Sequence, residues 1–232
     1  MKVFGICLCF RGWWRPMFLT AGISSAKYFF HHVLRKNTIT QAGSNELFSL
    51  FMDETMQYSC AIFKDRIRFL LCDYRQLPDT FKYDRIISCE AIEHVGHEYY
   101  EEFFRCCESA LADDGIFVLQ FSSVLEEKYD EFRWSPGFVK EYIFPRGNLP
   151  SLSILTSAMA ASSRLCVDHV EEIGAHYHPT LRCWRANFLK NRSKILALGF
   201  NQEFIRSWEC CLDSIAAGFK TELLLNYQVL IV

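Results

Sequence analysis

Three absences narrow the classes of protein that these 232 residues can form. No stretch reaches the ~18 consecutive apolar residues that a membrane-spanning helix needs. The basic residues are scattered and the formal net charge is -2, so the sequence lacks the basic patch typical of nucleic-acid-binding proteins. The 11 cysteines include no Cys-x-x-Cys pair, and their odd number fits reduced thiols in a reducing compartment better than a disulfide framework.

The first apolar run covers residues 3–10 and is only superficially similar to a signal peptide. It is short, and no small-residue cleavage pattern precedes Arg11, so we expect a cytoplasmic protein. Residues 13–36 combine aromatic side chains with a basic cluster. This pattern predicts a peripheral contact with a membrane surface, although a helix that packs on its own domain would show it too.

Apolar residues make up 50% of the sequence, which is enough for one substantial core. Short apolar runs alternate with segments whose apolar residues recur at helical spacing, the pattern of an α/β domain. The predicted strands are 66–72, one that starts at Tyr83, 116–121, 165–173 and 223–232, and the main predicted helices are 100–111, 152–164, 181–198 and 202–219.

The stretch 83–123 predicts a strand, an acidic loop, a helix, a turn and a second strand. The loop holds Glu90, Glu93, His94 and His97, at the edge where open α/β sheets bind ligands. These residues indicate general acid and base chemistry or a metal site, and a solvated helix start would carry them as well. Glu-His-Val-Gly-His is neither His-Glu-x-x-His nor its inverse, which argues against a metal.

Several segments combine with this loop into a specific constellation. They are Tyr-Ser-Cys-Ala at 58–61, Cys-Asp-Tyr-Arg at 72–75, Ser-Cys-Glu-Ala-Ile-Glu-His-Val-Gly at 88–96, the turn 144–151 and the stretch 176–184. On these segments the chain, from Trp13 onward, resembles the cyclopropane-fatty-acyl-phospholipid synthases, and most closely their plant-type form. Members of this family are S-adenosylmethionine-dependent methyltransferases that act on lipid acyl chains.

The resemblance implies a class I methyltransferase fold, a Rossmann-like α/β sheet flanked by helices. It also implies methyl transfer to a cis double bond of phospholipid acyl chains. The resulting carbocation loses a proton as a cyclopropane ring closes, and the family holds a bicarbonate ion as the base for that proton.

The resemblance also assigns roles to individual residues. Glu93 would orient the bicarbonate ion, Tyr177 would hydrogen-bond it, and Cys60 would contribute mainly through its backbone. Gln120 stands in the same site, where many bacterial relatives carry a His. From the residues alone, Tyr177 could be a core tyrosine and Cys60 an inert buried thiol. The residues implied to bind S-adenosylmethionine are Tyr58, Ser59, Tyr74 and Cys89.

The sequence departs from the family in one major respect. It contains no G-x-G loop, whereas a class I methyltransferase cradles its cofactor in such a loop after the first strand. Lys64 runs directly into Asp65, where relatives insert two strands, the loop and a helix. We therefore expect an incomplete sheet in which the 66–72 strand pairs directly with the strand from Tyr83.

These features predict two regions and leave three functions open. Residues 1–64 form an N-terminal helical segment that covers substrate and cofactor, and residues 65–232 form a truncated α/β core. The first function is a lipid-modifying methyltransferase, and the alternative most similar to it is a methyltransferase that acts on a non-lipid substrate. The second is an impaired remnant that binds lipid or a partner, and the third is a metal-dependent hydrolase built on His94 and His97.

Overall fold

A computed structural model describes residues 3–6, 74–76, 82–144 and 147–232 of the chain. Within them, five strands form one mixed sheet: β1 (Val3–Ile6), β2 (Tyr83–Cys89), β3 (Leu111–Val124), β4 (Val167–Glu172) and β5 (Leu224–Ile231). The spatial order is β1-β2-β3-β5-β4. The first three strands are parallel, and β5 lies antiparallel to both β3 and β4.

The longer helices of the described residues follow the predicted order. They are α1 (Tyr100–Ala110), α2 (Tyr129–Trp134), α3 (Leu152–Ser162), α4 (Tyr177–Lys190), α5 (Arg192–Ala197) and α6 (Gln202–Lys220). A π-helical turn, Val139–Ile143, lies between α2 and α3. The predicted sheet flanked by helices is therefore confirmed, and no helix in the described ranges is long and apolar enough to cross a bilayer.

Two apolar clusters hold these elements together. In the first, α1 and α3 pack on the sheet, and Phe103 of α1 contacts Phe117 of β3 with ring centroids 6.2 Å apart. Helix α1 buries Tyr100, Phe103, Phe104 and Cys107, which recur at the spacing of one helix face. The second cluster joins α4, α5 and α6 around Trp208.

Gly115 lies where the chain turns from α1 into the regular part of β3. The register with β2 shifts here, since Tyr83 faces Leu111 whereas Arg85 faces Ile116. A Cβ atom on Gly115 would lie 2.5 Å from the Leu111 side chain and 2.8 Å from the Ala112 carbonyl oxygen. Only glycine allows this close approach of the backbone.

The structure corrects the pairing predicted for the edge of β2. Val3–Ile6 pairs with Arg85 to Ser88 on one side of β2, and β3 pairs with it on the other. Both edges of β2 are thus occupied over this span, so the predicted direct pairing with residues 66–72 is wrong there. Those residues, like 13–36, lie outside the described part of the chain, as does most of the segment 1–64 that was predicted to be a helical cover.

The predicted helix 181–198 differs in both its start and its continuity. The helix begins earlier, at Tyr177, and the chain breaks at Asn191 into α4 and α5. Pro179 is compatible with this start, because a helix does not need the backbone N–H groups of its first turn as donors. This earlier start places Tyr177 at the helix end that faces the sheet, where it contributes to the site described below.

The N-terminus of α6 yields a stability prediction. Asn201 precedes this helix, and its side-chain oxygen accepts a hydrogen bond from the Phe204 N–H at 2.9 Å. Asn201→Ala removes the cap and should lower the free energy of unfolding by about 1 kcal/mol in urea denaturation. Asn201→Ser, which keeps a capping oxygen, serves as the control, and equal losses in the two variants would contradict the assignment.

Candidate active site

The candidate site lies at the carboxyl ends of the parallel strands β2 and β3, beside β5. Backbone pairing sets Cys89 next to Gln120, Gln120 next to Gln228, and Ser122 next to Asn226. The polar residues of β3 and β5 are two positions apart in each strand, so they share one face of the sheet. This edge is where open α/β sheets bind ligands.

Glu90 is the centre of the hydrogen-bond network at this edge. Its Oε1 accepts hydrogen bonds from the Asn226 side-chain amide at 2.6 Å, the Tyr177 hydroxyl at 2.8 Å and the Gln120 side-chain amide at 3.4 Å. Its Oε2 accepts from the Ser122 hydroxyl at 2.8 Å. Donors from β3, β5 and α4 therefore converge on one carboxyl group.

Glu93 lies one turn further along the loop and is only 4% exposed. Its Oε1 accepts a hydrogen bond from the Ser122 N–H at 2.6 Å, and its carbonyl oxygen accepts from the Asn148 N–H at 2.8 Å. Burial above all, and then the charge of Glu90, raises the pKa of Glu93 well above its ordinary value. Glu93 therefore keeps its proton to a higher pH than a solvated glutamate does.

Tyr177 and Gln120, both predicted site residues, are in direct contact. The Gln120 amide donates to the Tyr177 oxygen at 2.8 Å, and the Gln120 carbonyl oxygen accepts from the Gln228 amide at 2.9 Å. The Tyr177 ring packs on Phe219, with centroids 4.8 Å apart. Burial above all, and then the charge of Glu90, raises the pKa of Tyr177, so its hydroxyl stays protonated and serves as a donor.

The predicted cofactor residues are described only in part. Cys89 is half-buried at the end of β2, directly before Glu90. Tyr74 is half-buried, and its ring lies edge-on to Phe103 at 5.6 Å. Tyr58, Ser59 and Cys60 lie outside the described residues, so their assignments stay predictions.

The two loop histidines have separate surroundings. His94 packs on Phe144 with ring centroids 6.1 Å apart, and burial lowers its pKa to about 4 although the charge of Glu90 opposes this shift. His97 lies beside the Glu98 carboxylate at 3.1 Å and near Trp134. In the part of the chain that the structure describes, no group of three or more His, Cys, Asp or Glu residues is arranged to hold a metal ion.

Sequence reasoning missed three residues of this network and gave a fourth no specific role. It noted Glu90 only as one acid of the loop, and it passed over Ser122, Asn226 and Gln228. One signal could have found the last three: polar residues two positions apart interrupt two otherwise apolar strands, which places them on one face. The central role of Glu90 depends on contacts with residues up to 136 positions away, which no local pattern reveals.

Comparison with known proteins identifies the family. The sequence profile of the mycolic acid cyclopropane synthetases matches residues 64–229. The chain belongs to this family. The resemblance predicted from the loop, the 58–61 and 72–75 segments and the turn 144–151 is therefore confirmed.

Curated relatives of the family act on different lipids, as their names state. The chain is 31% identical over 170 residues to the tuberculostearic acid methyltransferase of Mycobacterium tuberculosis, an alignment that covers 73% of this chain and 39% of the relative. It is 33% identical over 170 residues to the sphingolipid C9-methyltransferase of Candida albicans, an alignment that covers 71% of this chain and 33% of that relative. It is 31% identical over 163 residues to the cyclopropane-fatty-acyl-phospholipid synthase of Escherichia coli, an alignment that covers 70% of this chain and 40% of that relative. The chain thus spans well under half the length of these relatives.

Solved structures agree on the fold. A mycolic acid cyclopropane synthase in complex with SAH and CTAB superposes with a TM-score of 0.71 at 23% identity, covering 99% of this chain and 77% of that one. A putative sarcosine dimethylglycine methyltransferase from Galdieria sulphuraria superposes with a TM-score of 0.63 at 14% identity, covering 78% of this chain and 65% of that one. The predicted methyltransferase fold is confirmed.

The raised pKa of Glu93 predicts how stability depends on pH. Between the ordinary value of 4.5 and the folded-state pKa, the folded protein holds a proton that the unfolded chain has released. The free energy of unfolding should therefore fall as pH rises through this window, by at most about 1.4 kcal/mol per pH unit. Glu93→Gln removes this titration, so the variant should gain stability relative to the wild type as pH rises.

Urea denaturation of both proteins at a series of pH values from 4.5 upward measures the difference. The titration of His94 has the opposite sign, because its pKa is lowered, but it occurs in both proteins. The difference therefore reports mainly on Glu93. A difference that does not change with pH would contradict the protonated state assigned to this residue.

Proposed function

We propose that the chain is an S-adenosylmethionine-dependent methyltransferase that modifies a cis double bond of phospholipid acyl chains to a cyclopropane ring. Membership of the family supports the reaction class. The observation that carries the proposal is the Tyr177, Glu90 and Gln120 network, which lies half-buried at the carboxyl ends of β2 and β3. Such a network can take a proton from a cationic acyl chain where water would otherwise trap the cation as an alcohol.

The described residues fit part of a binding site for S-adenosylmethionine. When bound, this cofactor supplies the methyl group. Cys89 is the last residue of β2 and is partly accessible, and Tyr74 offers a half-buried aromatic ring for the adenine. Tyr58 and Ser59 are assigned to the same group by family resemblance.

The bicarbonate ion of the family does not enter this proposal, because the described side chains do not fit it. The Tyr177 hydroxyl donates to Glu90, and the Gln120 amide donates to Tyr177 and Glu90. The Ser122 N–H donates to Glu93. The donors that would hold a bicarbonate ion are thus directed at the protein's own carboxyl groups.

A second candidate function is supported by a different observation. The chain contains no G-x-G loop and spans only 33% to 40% of the length of the three relatives named above. A chain that keeps the Tyr177, Glu90 and Gln120 network but lacks the loop would bind lipid at a membrane surface and transfer no methyl group. The next two experiments distinguish the two functions.

Affinity for S-adenosylmethionine should be low. The loop would let the backbone approach the cofactor closely, and its hydrogen bonds contribute about 0.5–1.5 kcal/mol each. Losing a few of them weakens binding about 100-fold, so we expect a dissociation constant of ~100 µM or weaker. Isothermal titration of the purified chain measures it, and low-micromolar binding at one-to-one stoichiometry would show that another segment replaces the loop.

Ring formation should depend on the Tyr177 hydroxyl. With saturating S-adenosylmethionine and vesicles of unsaturated phospholipid, Tyr177→Phe should reduce cyclopropane product about 100-fold, because phenylalanine has no oxygen to take the proton. Gas chromatography with mass spectrometry of the acyl chains measures the product. The exposed Tyr142 supplies a matched control, Tyr142→Phe.

No product from the wild type would favour the second candidate function. Methylation of a sphingolipid in place of phospholipid acyl chains would keep the enzyme class and change the substrate. Equal product from Tyr177→Phe and the wild type would exclude the proposed role of the tyrosine.

A further inference from the structure

The backbone of Glu90 is in the left-handed region, with φ at 49°. This conformation is strained for a residue with a side chain, whereas glycine adopts it without that strain. Such a residue persists where the surrounding contacts determine it, and these positions cluster at functional sites. The four hydrogen bonds that converge on the Glu90 carboxyl group are those contacts.

The Glu90 carboxylate holds the donors that would otherwise face a bound anion. Tyr177, Gln120, Asn226 and Ser122 all donate to it. A bicarbonate ion beside this carboxylate would place two like charges together in a poorly solvated site, which is unfavourable. The negative charge of the site is therefore already supplied by the chain.

We propose that Glu90 takes the place of the bicarbonate ion: it orients the Tyr177 hydroxyl and receives the proton that Tyr177 passes on. Glu90 is a positioning residue in this scheme, since it acts through Tyr177. The inference rests on the proposed function and goes beyond it by assigning the final proton acceptor to the chain itself. Glu93 does not fill this role, because the Tyr177 hydroxyl donates to Glu90, whereas Glu93 Oε1 accepts from the Ser122 N–H.

The proton transfer balances without an added base. A C–H bond of the transferred methyl group breaks, and its electron pair forms a C–C bond from that carbon to the cationic carbon, which closes the ring. The proton goes to the Tyr177 oxygen, whose own proton moves to Glu90 Oε1, 2.8 Å away. Release of that proton to water restores the carboxylate for the next turnover.

Glu90→Gly is the informative variant, because glycine suits the observed backbone and leaves space for a small carboxylate. We expect ring formation to fall about 100-fold and sodium formate or bicarbonate to restore much of it. The wild type should be as active in carbon-dioxide-free buffer as in buffer with bicarbonate. Glu90→Gln, which fills the space with a neutral side chain, should be equally slow and should not respond to formate.

Glu222→Gly provides a matched control. Glu222 is the other non-glycine residue with positive φ in the described ranges, at 57°, and it is exposed in the turn before β5. Its replacement relieves the same backbone conformation without touching the site, so activity should be unchanged and formate should have no effect. A wild type that needs bicarbonate, or a Glu90→Gly variant as active as Glu222→Gly without formate, would overturn the inference.

A binding measurement separates failure of this inference from failure of the proposed function. Isothermal titration with sodium formate needs no turnover, so it applies even if the wild type forms no product. We expect binding to Glu90→Gly and none to the wild type or Glu222→Gly. Formate binding to the wild type, or none to a folded Glu90→Gly, would show that Glu90 does not occupy an anion site.

Discussion

The pairing of one poorly solvated carboxylate is the constraint on which this site depends. A charge removed from water is costly unless donors surround it, and Glu90 lies where β2 leaves the sheet. Its donors come from β3, β5 and α4, elements that are far apart in the sequence. Each donor that stabilises the Glu90 carboxylate also holds the strand or helix that carries it in place. The contacts that stabilise the charge therefore also fix the geometry of the site.

The register between β3 and β5 determines which side chains lie next to Glu90. Gln120 pairs with Gln228 and Ser122 with Asn226, so four polar side chains lie together on one face of these two strands. A slip of one residue would turn all the side chains of one strand to the other face and leave Glu90 without Asn226. The Gly174 N–H donates to Glu172 at 2.7 Å, in the turn that leads from β4 into α4, and so helps to fix the position of Tyr177.

The strongly periodic elements could be predicted from the sequence. Apolar residues recur at helical spacing in α1 and α6, and apolar runs mark β3 and β5. Each of these patterns lies within one segment, so the helix or strand can be predicted without knowing its partners. The Glu93, Tyr177 and Gln120 group came from the family resemblance, and the structure brings the last two into direct contact.

What the sequence did not reveal depends on distant partners. The apolar run of Val3–Ile6 is visible, but its place beside β2 is set by an open sheet edge that only the folded chain presents. The left-handed backbone of Glu90 likewise has no local signature, since glutamate rarely adopts it. Both features are consequences of tertiary contacts that override local preference.

The loop combines two carboxyl groups with different surroundings. Four side-chain donors surround Glu90, whereas Glu93 is buried and receives one backbone N–H. Burial above all, and then the charge of Glu90, raises the pKa of Glu93. A carboxylate fixed in this way needs no binding step, since its position and orientation are provided by folding, and the backbone conformation of Glu90 is the cost of that preorganisation. The strained backbone of Glu90 thus lowers local stability slightly, and in return the proton acceptor is held in place at all times.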